Sequence, residues 1–389
     1  MAIFAAVGEA NALDPREAGL QATHQALNRL GNAAPGFGIV IVPHRYDPQM
    51  VLNGVSSMLT NLPLLGFSSF AGISEKGTRF HTVIVALLAG EDLRAETHWF
   101  PAYSQASGEM AARIMQLLGY EQHPVDSILA FADGLNGSAE DFCEGIPAHI
   151  PLLGGLSSGD LQSANGFQVA NLQSGRGAMG AAFLRGDIKV GVGYGHGWLP
   201  VGSHFRVTRS RGFWLRTLDG RPASETYSQM FGKPPREWAF PPLNYLTRIY
   251  PLGFEQEDSH KLVVRSPLRV EADGSFRMNA SLRDGSDAYL LIGSPADCQK
   301  AALDAARQSL QGLGKSKPAF ALVLVDIAWH MLMQARVDAQ VKAIQSVIGE
   351  HVPIAGGYTL GQIVPAGNQD EHPQFLNQHI VVATFGEKE

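Results

Sequence analysis

The chain has 389 residues and a formal charge of −6, a length that suits two domains. Hydrophobic residues make up 45% and charged residues 17%, which excludes a disordered polypeptide. The acidic balance excludes a general attraction to nucleic acid or to an anionic membrane. Two cysteines, Cys143 and Cys298, exclude a disulfide framework and fit a reducing compartment. The longest apolar run, Val83 to Gly90, is far below the roughly 20 residues a bilayer needs. With no basic leader at Met1-Ala2-Ile3-Phe4 either, the expectation is a cytoplasmic protein without membrane contact.

Along the chain, Asp14-Pro15-Arg16-Glu17 reads as a helix start, with an N-cap, Pro at N1 and a Glu placed to close a capping box. Leu20, Leu27 and Leu30 supply an apolar stripe, and Gly31 stops the helix. An unbroken β-type run follows at Gly38–Val42, and similar runs recur at Ser127–Phe131 and Phe320–Val325. Each leads through a helix-like stretch into a second recurring unit: Asn61-Leu62-Pro63-Leu64-Leu65-Gly66, His149-Ile150-Pro151-Leu152-Leu153-Gly154, and His351-Val352-Pro353-Ile354-Ala355-Gly356. Small or polar residues come next: Phe67-Ser68-Ser69, Gly155-Leu156-Ser157, Gly357-Tyr358-Thr359. This is a duplicated strand-helix-strand unit with irregular spacing, not a solenoid.

Val337, Val341, Ile344 and Ile348 fall on one helical face before Gly349. Between the second and third units the pattern changes to alternation. Phe205–Arg209 and Phe213–Arg216 about Ser210-Arg211-Gly212 read as an antiparallel hairpin. Gly232 to Pro242 is the Pro-rich linker candidate; His260–Leu268 and Ala288–Ile292 then read as strands, and Asp297–Leu310 as a helix. The expected fold class is α/β: two mixed-sheet α/β domains, residues 1–234 and 235–389, carrying the repeated strand-helix-strand units.

Gly155-Leu156-Ser157-Ser158-Gly159 matches the nucleophile-elbow pattern of serine hydrolases, which makes Ser157 the candidate nucleophile of that reading. Asp160 to Phe167 lacks the periodicity of the helix the elbow requires, and related turns at Ser68 and Thr359 point instead to a repeated ligand-facing device. Gly175–Gly180 fits G-x-G-x-x-G without the strand-to-helix context of a dinucleotide site, and Gly314-Lys315-Ser316 lacks a P-loop's leading glycine. Thirteen histidines form no HExxH or Cys/His cluster. His196 stands out, in Gly195-His196-Gly197-Trp198, where glycines let a guest approach the backbone and an imidazole lies beside an indole.

These residues resemble the FIST family of prokaryotic sensory proteins, with an N-terminal and a C-terminal FIST domain. The resemblance runs through Leu64–Ser69, Phe131-Ala132-Asp133-Gly134, Leu152–Gly155, Gly195–Gly202, Val207-Thr208-Arg209 and Leu218–Ala223. It continues in Val263-Val264-Arg265, Asp284-Gly285, Gly356–Ile363 and Leu376-Asn377-Gln378. The sequence departs from the family at Phe67-Ser68-Ser69, where Cys-Ser-Thr is common, and at Gly361-Gln362, where Gly-Glu is common.

The resemblance implies a non-enzymatic sensor of a small molecule such as an amino acid. It further implies coupling to a signalling partner such as a histidine kinase or cyclic-di-GMP enzyme, and a homodimer is compatible with it. One subgroup of similar length, the NosP-type proteins, binds b-type haem and senses nitric oxide, so a haem cofactor is the alternative, with His196 or His204 as axial ligand. The expected ligand site gathers Ser68, Ser69, Gly154, Gly155, Ser157, Ser158, His196, Trp198, Gly356, Gly357, Tyr358 and Thr359 at strand ends between the two halves, with Gln362 and Asn377 as polar orienters.

Overall fold

The computed structural model describes residues 3–119, 124–159, 166–240, 243–255, 262–367 and 372–388. It is a mixed α/β structure in which one four-stranded unit occurs three times. The first unit places its strands in the order Phe4–Ala10, Val83–Ala89, Phe37–Pro43, Leu64–Ser69. The second runs Arg94–Phe100, Met179–Arg185, Ser127–Ala132, Leu152–Ser157, and the third Ile188–Gly195, Ile380–Glu387, Pro318–Asp326, Ile354–Val364. In each, the last two strands are parallel and the other neighbours antiparallel.

The recurring proline opens the same strand in all three units. Its carbonyl accepts from a residue near the start of the neighbouring parallel strand: Pro63 O from Gly38 N at 3.0 Å, Pro151 O from Ile128 N at 2.8 Å, Pro353 O from Ala321 N at 2.9 Å. Proline has no N–H to lose at a strand's first position, and its carbonyl still sets the register. The recurring glycine two residues into the strand answers a second demand. A β-carbon at Gly66 would lie 2.2 Å from Val40 O, one at Gly154 1.8 Å from Ala130 O, and one at Gly356 1.9 Å from Val323 O. The parallel pairs are too close there for any side chain.

Helices cover the outer faces of the sheets, and the inner faces meet in a shared core to which all three units contribute, including Ile41, Phe67, Phe131, Leu324 and Phe385. The Phe67 and Phe131 ring centroids are 4.2 Å apart. The second and third units join through Thr359 opposite Ser157, and the first is tied to the third by Gly72–Ser74 pairing with residues 355–357.

The first helix, Pro15–Leu30, is capped by Asp14, as its sequence predicts, but Glu17 accepts from Gln21 instead of closing a capping box. Its buried face is also not the leucine stripe. Ala18, Gly19, Ala22, Thr23 and Ala26 face inward; of the leucines Leu30 is buried, while Leu20 and Leu27 are half-buried. Small residues are required because neighbouring backbones press close: a β-carbon on Gly8 would meet Ala22 O at 1.9 Å, and one on Gly54 would meet Arg16 O at 2.0 Å. The later helix over Asp338–Ile348 ends at Gly349 as its periodicity predicts.

The third unit is interrupted between its first strand and its first helix, Pro295–Leu313, by an antiparallel insert. The insert contains the expected hairpin, Trp198–Arg211 with Trp214–Leu218, followed by the helix Ala223–Phe231. Further strands run over Leu252–Glu255, Leu262–Arg265, Pro267–Val270, Phe276–Met278 and Asp287–Gly293. Part of the predicted strand over His260–Leu268 lies outside the described residues. The Pro-rich stretch after Gly232 carries Trp238 into the insert's own core, against Tyr227 and Phe231.

Candidate functional site

The strand ends of the three units converge, and they bring together Ser68, Ser69, Ser157, Ser158, Tyr358, Thr359 and Gln362, all buried. Their polar groups are largely spent on one another. Ser68 Oγ donates to Ser158 O at 2.8 Å and accepts from Phe167 N at 2.8 Å. Ser69 Oγ donates to Ala71 O at 2.6 Å and accepts from Tyr358 N at 2.8 Å, while Ser158 Oγ donates to Tyr358 O. Gln362 Nε2 donates to Thr359 Oγ1 at 2.8 Å, and its Oε1 accepts from His379 N. The Tyr358 hydroxyl accepts from Gln340 Nε2 at 2.8 Å, and burial pushes it up to about 12. This satisfied seam joins the three units.

Ser157, the hydrolase candidate, donates to Ala132 O at 3.1 Å and accepts from Gln168 Nε2. Among the described residues no histidine or carboxylate hydrogen-bonds it, and an amide is not a general base. The helix an elbow needs at Asp160–Phe167 falls mostly outside the described residues.

His196 and Trp198 lie apart from this seam. His196 Nδ1 accepts from Trp198 N at 3.2 Å, and its ring packs edge-on to His379 at 4.8 Å. Burial holds the His196 imidazole below its ordinary range, and it holds His379 down to about 3. His204 is exposed, its ring 5.8 Å from Tyr289. A haem needs a free imidazole facing a wide apolar slot. His196 is packed against His379 and Trp198 and His204 stands in solvent, so these two positions do not fit the group. No cluster of three or more His, Cys, Asp or Glu is arranged to hold a metal among the described residues.

A polar junction that the sequence does not announce lies between the third unit and the insert, centred on Gln378. Its backbone is left-handed, φ 63°. Its carbonyl accepts from both Trp198 Nε1 at 3.2 Å and Trp329 Nε1 at 2.8 Å. Its N–H donates to Asp326 Oδ2 at 3.0 Å, and its Nε2 donates to Arg248 O at 2.8 Å and Ser266 Oγ at 2.9 Å. Beside it, burial raises the Asp326 carboxyl and lowers the Arg248 guanidinium, each opposed by the other's charge. Asn377 contributes a buried Oδ1 without a partner.

The insert also meets the second unit, at a narrow cleft. One wall is the loop after strand Ser127–Ala132, with Asp133, Gly134 and Leu135; the other carries Phe213, Leu268, Arg277 and Asn279, and Leu156 closes the floor. Asp133 shapes the loop, its Oδ1 accepting from Leu135 N and Asn136 N at 2.8 Å and its Oδ2 from Gly177 N at 2.8 Å. Two polar atoms on the opposite wall are unsatisfied: the Oδ1 of Asn279, a residue only 8% exposed, and Arg277 Nε. Asn279 Nδ2 donates to Leu360 O at 3.4 Å, and Arg277 Nη2 to Leu135 O at 3.3 Å. The cleft's free volume is ≈ 10 Å³, room for about one water.

Half-buried contacts link the two walls beside the cleft. Glu140, on the helix Ala139–Glu144 that follows the loop, pairs with Arg265 of the insert at 2.7 Å and accepts from Ser281 N at 2.8 Å and Ser281 Oγ at 2.9 Å. A larger, open groove of ≈ 560 Å³, lined by Leu27, Met58, Leu62, Leu93 and Arg94, sits at the opposite end of the first unit.

Three α/β units surround one core, an inserted sheet borders a polar cleft, and the chain belongs to the FIST family. Residues 36–221 match the FIST N domain and residues 223–365 the FIST C domain. FIST domains are sensory modules that bind small molecules in signalling systems. Over 84 residues the chain is 30% identical to the Methanocaldococcus jannaschii protein MJ1623, a match spanning 22% of this chain and 16% of that relative. Among solved structures it is similar to a cyanuric acid hydrolase from A. caulinodans, at 9% identity, 99% of each chain and a TM-score of 0.40. It is also similar to PurLQS from Thermotoga maritima, at 10% identity, 99% of this chain, 72% of that chain and a TM-score of 0.26. Among the described residues no helix is long and apolar enough to cross a membrane.

Proposed function

We propose that this FIST protein senses a small polar ligand taken up in the cleft between the Asp133–Gly137 loop and the insert. It passes the event to a signalling partner such as a histidine kinase or cyclic-di-GMP enzyme. The observation that carries the reading is the unpartnered, buried Asn279 Oδ1 on the cleft wall. An orphaned acceptor costs about 1–3 kcal/mol when buried, a cost that a ligand N–H would relieve. Arg277 Nε offers a donor on the same wall, so a molecule with both an N–H group and an acceptor, such as an amino acid or a related amide, satisfies both.

Entry requires the insert to move away from the second unit, because the closed cleft has little room. The Glu140–Arg265 and Ser281 contacts oppose that movement. A ligand that bridges Asn279 and the Asp133 loop favours the opened form that admits it, by its differential affinity alone. The strand-end hydroxyls stand behind this cleft: Leu156 lines it and Ser157 is the next residue. In this reading they hold the floor in place and do not contact the ligand.

The test is a thermal-shift and calorimetric screen of amino acids and related amides against the full chain. A hit should bind at least about tenfold more weakly to Asn279→Leu and bind Ser157→Ala unchanged. A ligand that binds Asn279→Leu as tightly as the parent would exclude the cleft.

A further inference from the structure

The insert's sheet carries a line of residues directly opposite one another across four strands. Arg211 faces Trp214, Trp214 faces Arg277, and Arg277 faces Arg269. Directly opposite residues project from the same side of a sheet, so three arginines and a tryptophan form one transverse ladder. The adjacent rung, Leu215, Phe276 and Val270, is buried in the insert's core. The ladder therefore lies on the face turned from that core, and Arg277 brings it to the cleft wall.

Its composition is costly unless something neutralises it. Arg269 and Arg277 are like charges on neighbouring strands, an arrangement that destabilises a sheet. Burial and the Arg269 charge both lower the Arg277 guanidinium, and Glu271 opposes them. Glu271 pairs with Arg269 Nε at 2.6 Å. The Arg277 guanidinium lies 5.7 Å from the Trp214 ring centroid, and Trp214 is 37% exposed. Residues 198–293 hold 13 Lys and Arg against 10 Asp and Glu in a chain whose total is −6. The insert is thus net positive in a chain that is net negative.

We propose that the Arg211–Trp214–Arg277–Arg269 ladder is an anion-binding surface beside the cleft, and that it selects a small carboxylate or phosphate carried on a planar group. This deepens the cleft reading and rests on it for the second half of the ligand's contacts. The guanidinium fork of Arg277 holds the anion in two-point geometry. A planar group lies against the open part of the Trp214 ring, beside the cation already stacked there.

The experiment titrates the full chain with benzoate, phenyl phosphate, inorganic phosphate and the neutral isostere benzamide at constant ionic strength. Binding is read by calorimetry and by tryptophan fluorescence. Saturable binding of benzoate, of phenyl phosphate, or of both is expected, and which of them saturates separates a carboxylate from a phosphate ligand. Benzamide and inorganic phosphate should each bind about tenfold more weakly than the better planar anion. Arg277→Gln should lose about tenfold in affinity for that anion, with Arg277→Lys intermediate and both variants matching the parent's unfolding temperature. Trp214→Phe should lose the fluorescence change.

Equal binding of benzamide, unchanged affinity in Arg277→Gln, or no saturation by either planar anion would overturn the proposal. The two readings fail separately. Anion binding that persists in Asn279→Leu, with no metabolite found for the cleft, keeps the ladder and removes the cleft. A metabolite lost in Asn279→Leu, with no saturation by benzoate or phenyl phosphate, keeps the cleft and removes the ladder.

Discussion

Replacing Gly356 by alanine puts a single methyl group where the third unit's parallel strands nearly touch. The added β-carbon would lie 1.9 Å from Val323 O and 2.8 Å from Val323 C. Ordinary carbon–oxygen contact is about 3.2–3.5 Å, so the strands must part locally by more than about 1 Å. A backbone hydrogen bond near 2.9 Å does not survive that displacement. Overpacking typically costs about 1–3 kcal/mol, and each buried backbone group left unpaired adds about 1–3 kcal/mol.

The expected loss is therefore about 4 kcal/mol for Gly356→Ala, and a similar loss for Gly66→Ala and Gly154→Ala, whose clashes are 2.2 and 1.8 Å. Gly220 is the control. It has φ 79° with open space around it, so Gly220→Ala carries left-handed strain of about 1 kcal/mol. Urea unfolding followed by circular dichroism measures all four. A loss below about 1 kcal/mol for Gly356→Ala would refute the claim that strand approach, and not ligand access, requires the repeated glycine.

Gln378→Ala should cost about 2 kcal/mol through its bonds to Arg248 O and Ser266 Oγ, whereas Gln378→Gly should cost less because it relieves the left-handed backbone; equal losses in urea unfolding would contradict this. His379 is held neutral, with its folded value near 3 against 6.5 unfolded. Its contribution is therefore complete above about pH 6.5 and is lost as pH falls toward 3, at up to about 1.4 kcal/mol per pH unit; His379→Asn should flatten that part of the stability profile, and an unchanged slope would count against it. Adding haemin should give no saturable Soret band dependent on His196 or His204, and a band at one haem per chain that disappears in His196→Ala would reverse that assignment. A fluorophosphonate probe should leave Ser157 unlabelled, and covalent labelling located there by mass spectrometry would restore the hydrolase reading.

The elements most legible in the sequence were those whose local chemistry and packing agree. Gly38–Val42, Ser127–Phe131 and Phe320–Val325 are buried on every residue because helices cover one face and the shared core the other. Pro63, Pro151 and Pro353 mark the strands beside them. The outer strands are less legible. Arg94–Phe100 carries Arg94, Glu96 and His98 because it is an edge strand partly open to solvent, and nothing in that pattern names its partner some 80 residues away.

The first helix misleads for the opposite reason. Its leucines look like a core face, but Gly8 and Gly54 bring backbones so close that alanines must occupy the contact. Sequence pattern reads the strand-end hydroxyls as facing a ligand, whereas in the structure they hydrogen-bond across the seam to one another's strands. The cleft is assembled from Asp133, Leu156, Arg277 and Asn279, which share no local signal. Of these, Asp133 alone falls within a piece of sequence that resembles the family.

The pairing of Ile188–Gly195 with Ile380–Glu387 has a consequence for biosynthesis. The first unit closes early, since Phe4 pairs with Ala89, and the second follows once Met179–Arg185 has emerged beside Ser127–Ala132. The strand Ile188–Gly195 lies at the end of its sheet, and its hydrogen-bonded neighbour there is the strand Ile380–Glu387, so it waits for half the polypeptide to leave the ribosome. During that interval Val190, Val192 and Tyr194, which later pack against the shared core, are apolar groups on an unpaired strand. Nascent chains stalled between the second unit and the final strand are thus the species on which chaperones would be expected to act.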